Sequence, residues 1–131
     1  MTLPTGRALP ERAYGSGQTF VFHQAAQAQW RHDDETGWQV RDLGIAAATS
    51  GLAGARVMRR AGGAPRDGVA TRQDRAFAFG FVLQGSMSLH VDQLPGARLS
   101  PGDAFVIPTG MRQRFADCSG DWELLQVFLP A

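Results

Sequence analysis

From Trp38 to the C-terminus the chain is cut into short apolar runs separated by turns of Gly, Pro and Asp. WQVRDLGI, ARVMRR, AFAFGFVLQG, SMSLHVD, AFVIP and WELLQVFLP follow one another with no helical stretch of useful length between them. Many short strands at turn-punctuated spacing predict an all-β sandwich or barrel. AFAFGFVLQG reads as a nearly continuous apolar strand ending at Gly85, and the alternating SMSLHVD reads as its hairpin partner. Upstream, FVFH at 20–23 reads as a short strand, QAAQAQW as one or two helical turns, and RHDDETG as a polar turn. Residues 1–19 are rich in Pro, Gly and Arg without periodicity and read as an irregular arm; 20–131 then form one domain.

Composition narrows what that domain can do. At 131 residues the chain is long enough for one full core. A net charge of +1 supplies no basic field for a phosphate backbone, so no nucleic-acid partner is expected. No apolar run approaches the roughly 18–20 residues of a membrane span, and the N-terminal stretch lacks a signal-peptide core. The only cysteine is Cys118, which excludes an internal disulfide and a multi-thiolate zinc site and implies a cytoplasmic setting. All 13 basic residues are arginine, so lysine Schiff-base chemistry is excluded. The three histidines, His23, His32 and His90, have no mutual metal-ligand spacing. Ser86 and Ser88 have no triad partner in view, and Cys118 has no neighbouring histidine. Arg56, Arg59 and Arg60 read as a solvated strand end, and Arg112 and Arg114 as lying on the face of their strand opposite Gln113.

Residues 78–117 carry a more specific pattern. A strand ends in Gly85, a Pro101-Gly102-Asp103 turn follows, and an apolar strand ends in Pro108-Thr109-Gly110. Glycine tolerates the left-handed backbone such turns demand, and Asp103 can bond nearby backbone N–H groups. This pattern, with its lead-in from Trp38, resembles the small single-domain bacterial cupins. The resemblance implies a double-stranded β-helix, the jelly-roll barrel of RmlC-like proteins, and a homodimer. Trp30, Trp38 and the AFAFGF run agree with the latter by supplying spare apolar surface.

The resemblance also locates a site. Cupin metal sites use three histidines and a glutamate, and the corresponding positions here are Thr71, Gln73, Ala78 and Gln113, or Arg72 and Asp74 in the alternative register. Neutral amides and a hydroxyl bind transition metals poorly, so no metal and no cofactor are expected. Gln73 and Gln113 read either as satisfied core amides or as walls of a small-molecule pocket. His90 is the one strand histidine available as a general acid or base if it faces inward. The leading expectation is a metal-free barrel binding a small organic ligand, as a binding or accessory module. Two alternatives stay open: a cupin enzyme, either a metal-independent isomerase, lyase or cyclase or a metal-dependent one with ligands elsewhere, and a structural or oligomerisation domain.

Overall fold

The computed structural model describes residues 13–14 and 17–131; most of the arm expected over 1–19 lies outside them. In chain order the elements are β1 (Ala13–Tyr14), β2 (Gln18–Thr19), β3 (Arg31–His32), β4 (Gln39–Asp42), α1 (Ile45–Ala48), β5 (Gly54–Arg59), β6 (Thr71–Arg72), β7 (Phe77–Gln84), β8 (Met87–Val91), β9 (Ala97–Leu99), β10 (Ala104–Val106), β11 (Arg112–Ala116) and β12 (Glu123–Leu129). The pair β1–β2 stands apart. Two antiparallel sheets make the barrel: six strands in the order β10-β7-β12-β5-β4-β3, and four in the order β6-β11-β8-β9. This is the expected jelly-roll architecture, almost entirely β.

Residues 20–23 are not a strand, and QAAQAQW forms a single 3₁₀ turn at Ala25–Gln27. The larger difference concerns the predicted hairpin. β7 pairs with β10 and β12, whereas β8 pairs with β9 and β11, so the two segments belong to opposite sheets. The junction explains it. Gly85 adopts φ +72°, and a Cβ there would sit 2.7 Å from Trp122 Cα. The 119–122 loop is pressed into this corner, and Ser86 N donates to Ser119 Oγ at 2.9 Å. The chain therefore turns across the barrel instead of folding back on itself. The other turns hold as read: Gly102 and Gly110 have φ +93° and +91°, and Asp103 Oδ2 accepts from Ser100 N at 2.8 Å.

Successive strand residues face opposite ways, so each strand gives one set of side chains to the interior. Met58 from β5, Val82 from β7, Met87 and Leu89 from β8, Phe115 from β11 and Leu124 from β12 meet there with Trp38 and Trp122. Trp38 and Trp122 pack edge to face at 4.7 Å between ring centroids, and Phe115 stacks on Trp38 at 6.5 Å. Each large side chain so enclosed contributes about 1.5–3 kcal/mol. Gly80 of β7 lies beneath the Phe105 ring, which occupies the space any Cβ would need. The room that a small residue at position 80 leaves is thus filled from β10.

Trp38 is buried and adds nothing to outside surface. Trp30 is covered by cations: the Arg59 guanidinium lies 3.8 Å and that of Arg41 5.4 Å from its ring. The outer face of the six-stranded sheet is different. Phe81, Leu125 and Val57 form one cross-strand row, whose Val57 end is buried, and Phe79, Val127 and Ala55 the next. Val106, beside Phe79 on the edge strand, is 53% exposed.

Candidate functional site

Beyond the aromatic cluster the barrel opens. The inward-facing residues change character two positions along each of three strands: Met58 gives way to Arg56, Leu124 to Gln126 and Phe115 to Gln113. Arg56 and Gln126 are direct cross-strand partners, as are Gln113 and Thr71. Together with Arg75 and Phe128 they line an open cavity of about 520 Å³, with Trp38, Met58 and Phe115 at its floor. That volume is in the range of small-molecule sites.

Arg56 is thus not a solvated strand end. Its Nε donates to Gln126 Oε1 at 2.8 Å, and its guanidinium lies 5.4 Å from the Phe128 ring centroid. Burial pulls its pKa below the ordinary value, Asp33 opposes that, and Arg75 adds to it by like-charge repulsion. Arginine nevertheless stays cationic in a protein. Arg75 approaches the same ring, at 4.6 Å. Of its neighbours in sequence, Arg59 covers Trp30, and Arg60 donates to the backbone oxygens of Cys118 and Ala64 at 2.7 and 2.9 Å.

The residues expected at the site divide into three groups. Thr71 and Gln113 line the cavity, and among the described residues their side chains make no hydrogen bond. Gln73 reaches the cavity wall but is fully engaged. Its Nε2 donates to Arg75 O at 2.8 Å and Ile107 O at 3.1 Å, while its Oε1 accepts from Arg75 N at 2.6 Å. With Thr109 Oγ1, which donates to Arg75 O at 2.7 Å, Gln73 fixes the backbone that carries Arg75. Ala78 and His90 stand elsewhere. Ala78 lies opposite Phe128 in register and is not part of the cavity lining. His90 is exposed, because Met87 and Leu89 take the inward positions of β8, and its ring rests against Gly96. The same alternation places Arg114 beside it on β11.

The donor set does not fit a metal. Ala78 offers no donor, the Gln73 amide is occupied by backbone, and a guanidinium cation shares the cavity with Thr71 and Gln113. In the alternative register Arg72 is itself a cation and donates to Gly110 O at 2.8 Å. Among the described residues no cluster of three or more His, Cys, Asp or Glu side chains is assembled.

Sequence reasoning missed Arg56, Arg75, Gln126 and Phe128. One signal was available: Arg56 and Gln126 share strand parity with Met58 and Leu124, so an inward core position on each strand is followed by an inward polar one.

No family model and no curated protein matches the chain. Solved structures do. KdgF from Halomonas sp. superposes with a TM-score of 0.69 at 25% identity, over 85% of this chain and 95% of its own. An RmlC-like cupin from Shewanella frigidimarina gives 0.67 at 21% identity, over 87% of this chain and 94% of its own. The polyketide cyclase RemF from Streptomyces resistomycificus gives 0.65 at 21% identity, over 85% of this chain and 80% of its own.

Proposed function

We propose that this chain, which has the cupin fold, holds a small organic molecule in the open half of its barrel and works without a metal as a binding or accessory module. One observation carries the reading. The Thr71 hydroxyl, the Gln113 amide, the Gln126 amide nitrogen and the Arg56 Nη groups converge on one cavity, and none has a protein hydrogen-bond partner among the described residues. These groups face the open cavity unpaired by protein, and a ligand that supplies partners there gains hydrogen bonds in a partly enclosed, lower-dielectric setting. A barrel filled throughout by side chains would instead favour a purely structural role. Among the described residues no imidazole lines the cavity, since His90 lies outside, and its two carboxylates, Glu35 and Asp74, are exposed at the rim; this favours binding over acid–base catalysis.

The proposal includes a homodimer formed through the outer face of the six-stranded sheet, at its β10 edge where exposed Val106 adjoins Phe79 and Val127, in a cytoplasmic protein. Light scattering gives the dimer directly; a monomer at high concentration rejects that part. No helix among the described residues is long and apolar enough to cross a membrane.

The test of binding uses Trp38, whose Nε1–H donates to Pro65 O at 2.8 Å while its ring floors the cavity. Benzamide, a small neutral probe, is titrated to millimolar concentration and followed by ¹H–¹⁵N NMR. The expected result is a saturable shift of the Trp38 indole and the Gln113 side-chain amide, with the buried Trp122 indole unmoved. Shifts scattered over the surface, or none, reject the cavity as a binding site.

A further inference from the structure

We infer that the ligand is a small organic monocarboxylate with a flat apolar body, its carboxylate received by Arg56 and assisted by Arg75. This rests on the cavity being a ligand site and assigns the chemistry of what it takes.

The argument begins with the placing of a charge. Arg56 points into the barrel from β5, where burial disfavours its cation, yet among the described residues no carboxylate lies within ion-pair distance of it. The nearby acids are otherwise arranged: Asp33 Oδ2 accepts from Thr36 Oγ1 at 2.7 Å, while Glu35 and Asp74 are exposed at the rim. A half-buried guanidinium without a counterion is favoured by the arrival of an opposite charge, which is screened less there than at the open surface.

The orientation of Arg56 is fixed in a useful way. The 2.8 Å bond from Nε to Gln126 Oε1 uses the inner edge of the guanidinium and leaves both Nη groups free. Gln126 is only 7% exposed, so this bond is held inside the barrel wall. Planar, forked N–H donors match the two oxygens of a carboxylate. Arg75 stands on the same aromatic ring at 4.6 Å, against 5.4 Å for Arg56, so two like charges are gathered around Phe128. Their mutual repulsion is relieved by an anion, and by nothing neutral. Arg75 is no chance neighbour, because Gln73 and Thr109 clamp its backbone from both sides.

The charge count selects a monoanion. Three arginines line the cavity, Arg56, Arg72 and Arg75, against two carboxylates, Glu35 and Asp74. The surplus of one cation suits one negative charge better than two. Within the cavity the half-buried Phe128 ring and the edge of Phe115 offer flat apolar surface to the rest of the molecule, above a floor closed by Trp38 and Met58.

The test compares benzoate, isosteric benzamide and phenylphosphate on the intact protein by calorimetry and by the Trp38 indole signal. Benzoate is expected to bind roughly tenfold or more tightly than benzamide, the span of a hydrogen bond to a charged group. Phenylphosphate is expected to bind more weakly than benzoate. Arg56→Gln removes the benzoate preference while benzamide still binds; Arg75→Gln reduces it less. Arg56→Lys, which keeps the charge, retains part of it and stands in if Arg56→Gln does not fold. If benzamide binds and benzoate is no better, or if the preference survives both arginine substitutions, the carboxylate assignment is overturned and the cavity reading stands. If phenylphosphate wins, the monoanion assignment is overturned. If none of the three binds, both readings fall together.

Discussion

The closed and open halves of the barrel are built by the same strands and differ by a step of two residues. On β5, β11 and β12 the closed half receives Met58, Phe115 and Leu124, and the open half receives Arg56, Gln113 and Gln126. The backbone ladder runs through both without interruption, with Leu124 opposite Met58 and Gln126 opposite Arg56. Hydrogen-bonded sheet therefore fixes position in both halves, while side chains alone decide whether the interior is sealed. The closed half is anchored by Trp38 and Trp122, which are 1% and 0% exposed. The open half keeps polar groups in reserve. On the proposed function, stability and recognition fall to different stretches of one set of strands.

The difference can be broken most sharply at Cys118, which lies in the closed half with no exposed surface. Burial pushes its thiol up to about 12. Because the folded value is raised, the protonated thiol's contribution to stability is complete below the ordinary 9.0 and is lost as pH climbs through about 12. At pH 8 the native thiolate is then roughly a thousandfold scarcer than in the unfolded chain. Thiol labelling with a disulfide reagent should be slowed at least to that degree until denaturant is added; rapid native labelling would show that this half is not sealed.

Leu124→Ala comes next. It leaves a void between Met58 and Val82, its cross-strand partners, and should cost about 3 kcal/mol in urea unfolding. A loss below about 1 kcal/mol would mean that the cluster collapses around the gap. Gly80→Val drives a side chain into the Phe105 ring and should cost about 2 kcal/mol by the same measurement. Smallest is Gln113→Leu in the open half, where stability should change by no more than about 0.5 kcal/mol while benzamide affinity falls. If Gln113→Leu destabilised as much as Leu124→Ala, the two halves would form one packed unit and the contrast would disappear.

The sequence made the closed half readable and the open half nearly opaque, for physical reasons. Turns are local: Gly102, Asp103 and Gly110 act on their immediate neighbours, so their roles could be inferred before any tertiary contact was known. The β7–β8 relation was misread because the choice between hairpin and crossover is made at Gly85 by the distant 119–122 loop. Arg56 was misread because polarity normally signals solvent, and what places it inside is a partner 70 residues away, Gln126. The cupin resemblance singles out Thr71, Gln73 and Gln113 by their spacing from the turns; Thr71 and Gln113 line the cavity, whereas the Gln73 amide holds Ile107 and the Arg75 backbone. His90 could be placed only once β8 was known to turn Met87 and Leu89 inward.

Gly80 and Phe105 lock each other in place. Neither position tolerates change while the other stays as it is, since any side chain at 80 needs the ring removed, and removing the ring alone leaves a hole over a bare backbone. The two are epistatic, and an engineer wishing to install a longer ligating residue on β7 has to move both in one step. A single substitution at position 80 therefore cannot install a ligating side chain there.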